Sequence, residues 1–207
     1  KGNYKIALEH TLTALRFFED KSDEVRTADA LKQLADIEFQ LENYDSSIEY
    51  AEKAISIYEK HDDKIYMSYA YNTAGLAAEE LGDSHLAHKH FNASINLARE
   101  MNVQTMISQS LNDLARLHYN KGEYSKSRIL LKESLALSEL QDIKLNQTEA
   151  LQEIANLDVK EGKFEQALTH INKNIAISEK IGALPTLRDA LKTRAEIRNG
   201  LNQSNLA

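Results

Sequence analysis

Residues 162–171 read GKFEQALTHI, and the pattern returns as GEYSKSRILL at 122–131, GDSHLAHKHF at 82–91, ENYDSSIEYA at 42–51 and GNYKIALEHT at 2–11. The step is 40 residues each time, with no insertion or deletion. A fixed period of this size marks an array whose units each bury a face only against their neighbours. Two helices fit in one unit. After Gly82, the residues Ala87, Phe91, Ser94, Ile95 and Leu97 follow helical spacing, and so do Ala167, Ile171, Ile175 and Ile177. Before the next Gly, Leu111, Leu114, Ala115 and Leu117 return as Leu151, Ile154, Ala155 and Leu157. Each unit is therefore a helical hairpin, and the whole of 1–207 reads as one all-α array of about ten helices.

Composition agrees. Of 207 residues, 42% are hydrophobic and 28% charged, enough apolar material for a sizeable core, while seven Gly and one Pro leave little to punctuate strands. The absence of Cys excludes disulfides and thiolate sites; it fits the cytoplasm, with a periplasmic sensor region as the alternative. A formal charge of −7 with no clustered basic face argues against direct nucleic-acid binding. No apolar run approaches the roughly 20 residues of a membrane span.

The expected helix ends follow from local chemistry. HDDK before Ile65, MNVQ before Thr105 and QDIK before Leu145 place Asp or Asn where an N-cap is wanted. Pro185 suits the start of the last helix. Gly82, Gly122 and Gly162 suit a left-handed residue between the two helices of a hairpin; Glu42 replaces that Gly and predicts a different turn with Asn43. Small residues align at Ala7, Ser47, Ala87, Ser127 and Ala167, and at Ala35, Gly75, Ala115 and Ala155, where backbones approach closely. Tyr4, Tyr44, Tyr124 and Phe164 recur at the start of the second helix as packing residues.

This combination resembles the tetratricopeptide repeat: a small residue (Gly75 or Ala115), Gly-x-Tyr (Gly122 to Tyr124), a small residue (Ala87, Ala167), a large apolar one (Phe91) and another small one (Ala14, Ala54). The usual unit has about 34 residues, so both helices are expected to be longer here by part of a turn. The longer unit resembles the arrays of bacterial peptide-sensing regulators of the Rap and PlcR type, those of bacterial signalling proteins, and animal spindle-orientation adaptors. Asn174, where family members have a small residue, and Arg194, where Leu is usual, depart from the pattern. The resemblance implies a right-handed superhelical solenoid of antiparallel helix pairs. Its concave groove would be lined by the first helix of each pair.

By that register the groove-facing sets are Asp29, Lys32, Asp36, Phe39 and Gln40; Tyr69, Asn72, Leu76, Glu79 and Glu80; Gln109, Asn112, Arg116, Tyr119 and Asn120; and Glu149, Gln152, Asn156, Val159 and Lys160. Asn72, Asn112 and Gln152 occupy one level, a ladder of carboxamides that can donate and accept at once, as an extended peptide backbone requires. Phe39, Tyr69, Leu76, Tyr119 and Val159 are candidate anchors for partner side chains. Lys32, Arg116 and Asn156 complete the candidate set. Five acids against three bases in these sets favour a neutral to basic protein or peptide. The Lys and Asn carboxylate clamp of cochaperones with this fold is not reproduced.

Nothing in the sequence assembles a reaction. His85, His88 and His90 lie close together, but no carboxylate or Cys joins them at ligand spacing, and His90 aligns with His10 and His170 as a framework position. No phosphate-cradling Gly loop, nucleophile elbow or HExxH motif is present. The expected role is a non-catalytic binding module, without cofactor or metal, forming the sensory or interaction part of a larger bacterial signalling protein. A dimerisation or structural scaffold segment is the alternative. Because Gly2 aligns with Gly82 and Ala207 falls 40 residues after Ala167, both ends are expected to stop inside a repeat, with LNQSNLA at 201–207 running through a turn.

Overall fold

A computed structural model describes residues 2–204. Among these, ten α-helices account for all regular structure: α1 (Gly2–Asp20), α2 (Glu24–Gln40), α3 (Tyr44–Lys60), α4 (Lys64–Glu80), α5 (Ser84–Glu100), α6 (Gln104–Asn120), α7 (Tyr124–Leu140), α8 (Lys144–Lys160), α9 (Phe164–Ile181) and α10 (Leu184–Ser204). Helices of 17 residues joined by three-residue links account for the 40-residue step. Consecutive helices pack as antiparallel pairs. The chain forms two compact units, one up to Ser110 and one from Leu111 onward, with the boundary inside α6.

The links share one geometry. Every twentieth residue, Ser22, Glu42, Asp62, Gly82, Asn102, Gly122, Asp142, Gly162 and Gly182, has φ between 52° and 79°. The next residue then donates its N–H to a carbonyl five residues back: Asp23 to Phe18 (3.0 Å), Asn43 to Glu38 (2.9 Å), Glu123 to His118 (2.9 Å), Ile143 to Ser138 (2.8 Å). This pattern satisfies carbonyls that a helix end leaves orphaned. It corrects two expectations. Glu42 adopts the left-handed backbone itself (φ 69°), so its turn matches those of the glycines. Asn102 and Asp142 are the left-handed residues of their links rather than N-caps, and the residue before α8 is Ile143, which offers no capping side chain. Asp63 does cap α4, accepting from the Tyr66 N–H; Asp23 and Asp83 cap α2 and α5 in the same way.

The last helix also differs from expectation. α10 continues through Leu201–Ser204, where a turn was predicted. Asn202 stands where Gly122 and Gly162 stand in earlier units, but here the chain stays helical. The expectation for Ala207 lies outside the described residues.

Size matching fixes the helix contacts. Ala35, Gly75, Ala115 and Ala155 are register-equivalent, and 16 residues on stand Ala51, Phe91, Leu131 and Ile171, all fully buried. A Cβ on Gly75 would lie 2.6 Å from Phe91 Cε1. The smallest residue therefore faces the largest. Ser47 ties α3 to α2 by donating to the Ala35 carbonyl at 2.8 Å. In the N-terminal unit, Ser68 and Ser94 exchange bonds to each other's carbonyl at 3.0 and 2.8 Å. In the C-terminal unit Asn174, fully buried, makes the equivalent bond to the Thr148 carbonyl at 3.0 Å and accepts from Ser178. The Asn that departs from the family pattern is thus a longer arm reaching an equivalent acceptor.

Candidate functional site

Three helices shape a pocket in the N-terminal unit. α2 supplies Lys32, Asp36, Phe39 and Gln40; α4 supplies Tyr69, Asn72, Thr73 and Leu76; the first half of α6 supplies Gln109. The pocket encloses about 320 Å³. That volume suits one large side chain. All three helices are first helices of their pairs, and positions spaced three or four apart bring successive lining residues to one helix face.

The pocket has two kinds of wall. Phe39, Tyr69 and Leu76 are half-buried apolar or aromatic residues. Opposite in chemistry, Lys32 Nζ lies 2.6 Å from Asp36 Oδ2, and Thr73 donates to Asp36 Oδ1 at 2.9 Å. Both carboxylate oxygens of Asp36 are engaged, which holds the ion pair in a fixed position. Lys32 Nζ also sits 5.8 Å from the centroid of the Tyr69 ring, within range of a cation–π attraction.

The carboxamide ladder is placed differently from the sequence expectation. Asn72 and Asn112 are buried, at 4% and 3% exposure, instead of standing free on a surface. Asn72 lines the pocket, yet its Nδ2 donates to Ser110 Oγ at 3.2 Å, and Ser110 Oγ is 2.9 Å from Ser94 Oγ. It therefore belongs to a buried serine network joining α4, α5 and α6. The reason is geometric: a carboxamide on a first helix reaches the next first helix before it reaches solvent.

In the C-terminal unit, the polar candidates Asn112 and Arg116 on α6 and Gln152 and Asn156 on α8 are engaged in internal bonds. Asn112 Nδ2 donates to the Asn146 carbonyl at 3.2 Å, and Arg116 pairs with Asp113 at 3.1 Å. Gln152 Nε2 donates to Thr193 Oγ1 at 2.8 Å and to Asn156 Oδ1 at 3.3 Å, while its Oε1 accepts from Asn174. Tyr119 packs against Tyr124 with centroids 5.5 Å apart and the rings tilted by 50°, and burial raises its hydroxyl above the usual tyrosine range. Phe39 packs on Tyr44 at 5.6 Å in the same way. These two aromatics are shared between hairpin packing and the outer face.

Of the ten candidates, Lys32, Phe39, Tyr69, Asn72 and Leu76 line one pocket. The sequence reading missed Thr73, which completes the Asp36 network, and Asp113, which holds Arg116. Each is one residue beyond a ladder Asn, and neither register nor composition marked it. The three histidines do not converge: His85 and His88 are exposed, whereas His90 is buried against the Tyr71 ring. Among the described residues no group of three His, Asp or Glu could hold a metal ion, and no helix is long and apolar enough to cross a membrane.

Two family models, both described as tetratricopeptide repeat, match the sequence, one over residues 1–60 and 26–100 and the other over 108–139. Together they cover more than half of it. The chain belongs to the tetratricopeptide-repeat family. No curated protein sequence matches it. Among solved structures, this tetratricopeptide array is similar to a Rap protein complexed with Competence and Sporulation Factor (TM-score 0.81, 19% identity, 98% of this chain and 60% of that one). It is also similar to aspartyl phosphate phosphatase F from Bacillus subtilis (0.82, 18%, 99% and 56%). A third neighbour is a signal-transduction ATPase with a tetratricopeptide sensor from Pyrococcus horikoshii (0.78, 20%, 90% and 29%). The array spans three fifths or less of each of these chains. At such identities the likeness is one of fold: an all-α tandem array of the kind that serves as a protein-interaction module.

Proposed function

We propose that this array binds an extended peptide or protein segment, neutral to basic in charge, and does so without catalysis as the interaction part of a larger signalling protein. The observation that carries the reading is the pocket between α2, α4 and α6, where half-buried Phe39, Tyr69 and Leu76 meet a fixed Lys32–Asp36 pair. Large apolar residues left partly open beside oriented polar groups are what a partner side chain needs for both burial and register. Asn72 contributes less as a free hydrogen-bonding rung than as the floor that holds α4 and α6 in place. The solved Rap protein in complex with Competence and Sporulation Factor supports the same direction, as a property of that neighbour.

The test is selection of a random dodecapeptide phage library on the protein, followed by fluorescence anisotropy of synthetic selected peptides. Leu76→Glu and Tyr69→Ala are expected to weaken binding by about tenfold or more, since a central anchor is worth over roughly 1 kcal/mol. Their melting temperatures should stay close to the parent value because both side chains are only half-buried. Selected peptides that bind both variants as tightly as the parent would place recognition elsewhere.

A further inference from the structure

The pocket between α2, α4 and α6 has a polar end whose hydrogen bonding is incomplete. Lys32, with its side chain only 24% exposed, gives one N–H to Asp36 Oδ2 at 2.6 Å, and its Nζ lies 5.8 Å from the Tyr69 ring centroid. An ammonium carries three donors, and a ring face can occupy one of the other two. One N–H is left for an occupant. Asp36 is spent differently, since Lys32 and Thr73 engage both its oxygens. Asn72 turns its amide to Ser110. Gln109, on the third wall, makes no side-chain hydrogen bond to another described residue, so its amide carbonyl is open as an acceptor.

The chemistry of an occupant follows by elimination. A cationic side chain would meet Lys32, and a carboxylate would meet Asp36; the pair sums to zero charge and favours neither sign. A purely apolar side chain would satisfy Phe39, Tyr69 and Leu76 but would shut the remaining Lys32 N–H away from water with no acceptor, which is costly. Ser, Thr, Asn and Gln bring an acceptor without enough apolar surface for three walls. Met is only a weak acceptor, and the Trp indole only a donor. Tyr meets every condition: its ring is apolar, and its hydroxyl can accept from Lys32 while donating to Gln109. The cavity of about 320 Å³ has room for one such side chain.

We propose that this pocket is a tyrosine subsite, in which Phe39, Tyr69 and Leu76 hold the ring of a Tyr side chain from the bound segment and Lys32 donates to its hydroxyl oxygen. The proposal rests on the peptide-binding reading and names the anchor residue of the partner. Lys32 is then the residue that tells Tyr from Phe. Asp36 and Thr73 are positioning residues: the 2.9 Å bond from Thr73 holds the carboxylate that in turn holds the ammonium.

The test titrates the full chain with N-acetyl-tyrosine amide, N-acetyl-phenylalanine amide and N-acetyl-leucine amide, read by NMR at the Leu76 methyls and the Gln109 side-chain amide. The Tyr probe should shift both signals saturably and bind about tenfold more tightly than the Phe probe, as one hydrogen bond from a charged donor allows. The double variant Lys32→Met/Asp36→Leu removes the donor and its counter-charge together. In it the Tyr probe should fall to the affinity of the Phe probe, while the Phe probe still shifts the Leu76 methyls and the circular dichroism spectrum matches the parent. Equal binding of the Tyr and Phe probes by the parent chain, or a Tyr preference that survives in the double variant, would overturn the subsite. Loss of selected-peptide binding in Leu76→Glu, with no response of Leu76 or Gln109 to any of the three amides, would leave the peptide reading standing and this one refuted.

Discussion

Gly75→Ala isolates the size matching between α4 and α5. The added methyl would lie 2.6 and 2.7 Å from Phe91 Cε1 and Cδ1 and 3.2 Å from Cγ, against an ordinary carbon contact of roughly 3.5–4.0 Å. The ring would have to shift by close to 1 Å, and Phe91 has no exposed surface into which it could swing. Overpacking of this kind costs about 1–3 kcal/mol, while Ala in place of a mid-helix Gly returns about 1 kcal/mol. The net expectation is a destabilisation of about 1 kcal/mol by urea unfolding. The decisive comparison is a double-mutant cycle with Phe91→Leu. Phe91→Leu alone leaves part of a ring-sized space and should cost on the order of 1–3 kcal/mol. In that background the Gly75 methyl has room, so the same Gly75→Ala change should stabilise by up to about 1 kcal/mol. If Gly75→Ala has the same sign and size in both backgrounds, the contact does not set the residue size and the argument fails.

Other perturbations follow from the geometry. Glu42→Gly should stabilise the α2–α3 link by roughly 0.5–1 kcal/mol in chemical denaturation, because Glu42 holds φ 69° with a Cβ; a loss of stability would deny the strain. Asp63→Ala should cost about 1 kcal/mol by removing the bond to the Tyr66 N–H, whereas Asn102→Gly, at a left-handed position, should be neutral or stabilising; matching losses would restore the capping role expected for Asn102. The carboxyl of Glu149 is raised in the folded chain, so its contribution to stability is intact at pH 4 and is lost as pH rises toward 7. Glu149→Gln should then unfold like the parent at pH 4 and be more stable by roughly 1–2 kcal/mol at pH 8, as read by melts at both pH values. His90 is the converse case: burial lowers the pKa of an imidazole whose two nitrogens have no hydrogen-bond partner. Native stability should fall as pH drops through about 6.5, and His90→Leu should flatten that fall.

Much of this was legible before any coordinates. The 40-residue period, the helical spacing around Phe91 and Ile171, and the aligned small residues at Ala35, Gly75, Ala115 and Ala155 specify tandem helix pairs, because periodicity and residue size are local properties of the chain. The outer face of the first helices was legible too: eight of the nine residues around the α2/α4 pocket follow from the register alone. Asn102, Asp142 and Glu42 were misread because Asp, Asn and even Glu serve two adjacent places in a tight link, and only the backbone torsions tell a left-handed residue from a cap. The Asn72 ladder was misread for a related reason, since a carboxamide on that face can point outward or across to Ser110.

The sequence by itself determined the architecture, the absence of thiol chemistry and the helix faces that carry the candidate residues. Tertiary structure alone decided which of those side chains are spent on internal bonds and which remain open. It placed Asp36 between Lys32 and Thr73, turned Asn72 and Asn112 inward, and left the Glu149 carboxyl half-buried beside the unpaired Asn112 Oδ1. The physical reason is that hydrogen bonding and desolvation depend on what lies within a few ångströms across helices. Those neighbours are some 37 residues away along the chain, as Thr73 is from Asp36 and Glu149 from Asn112, beyond the reach of any local pattern.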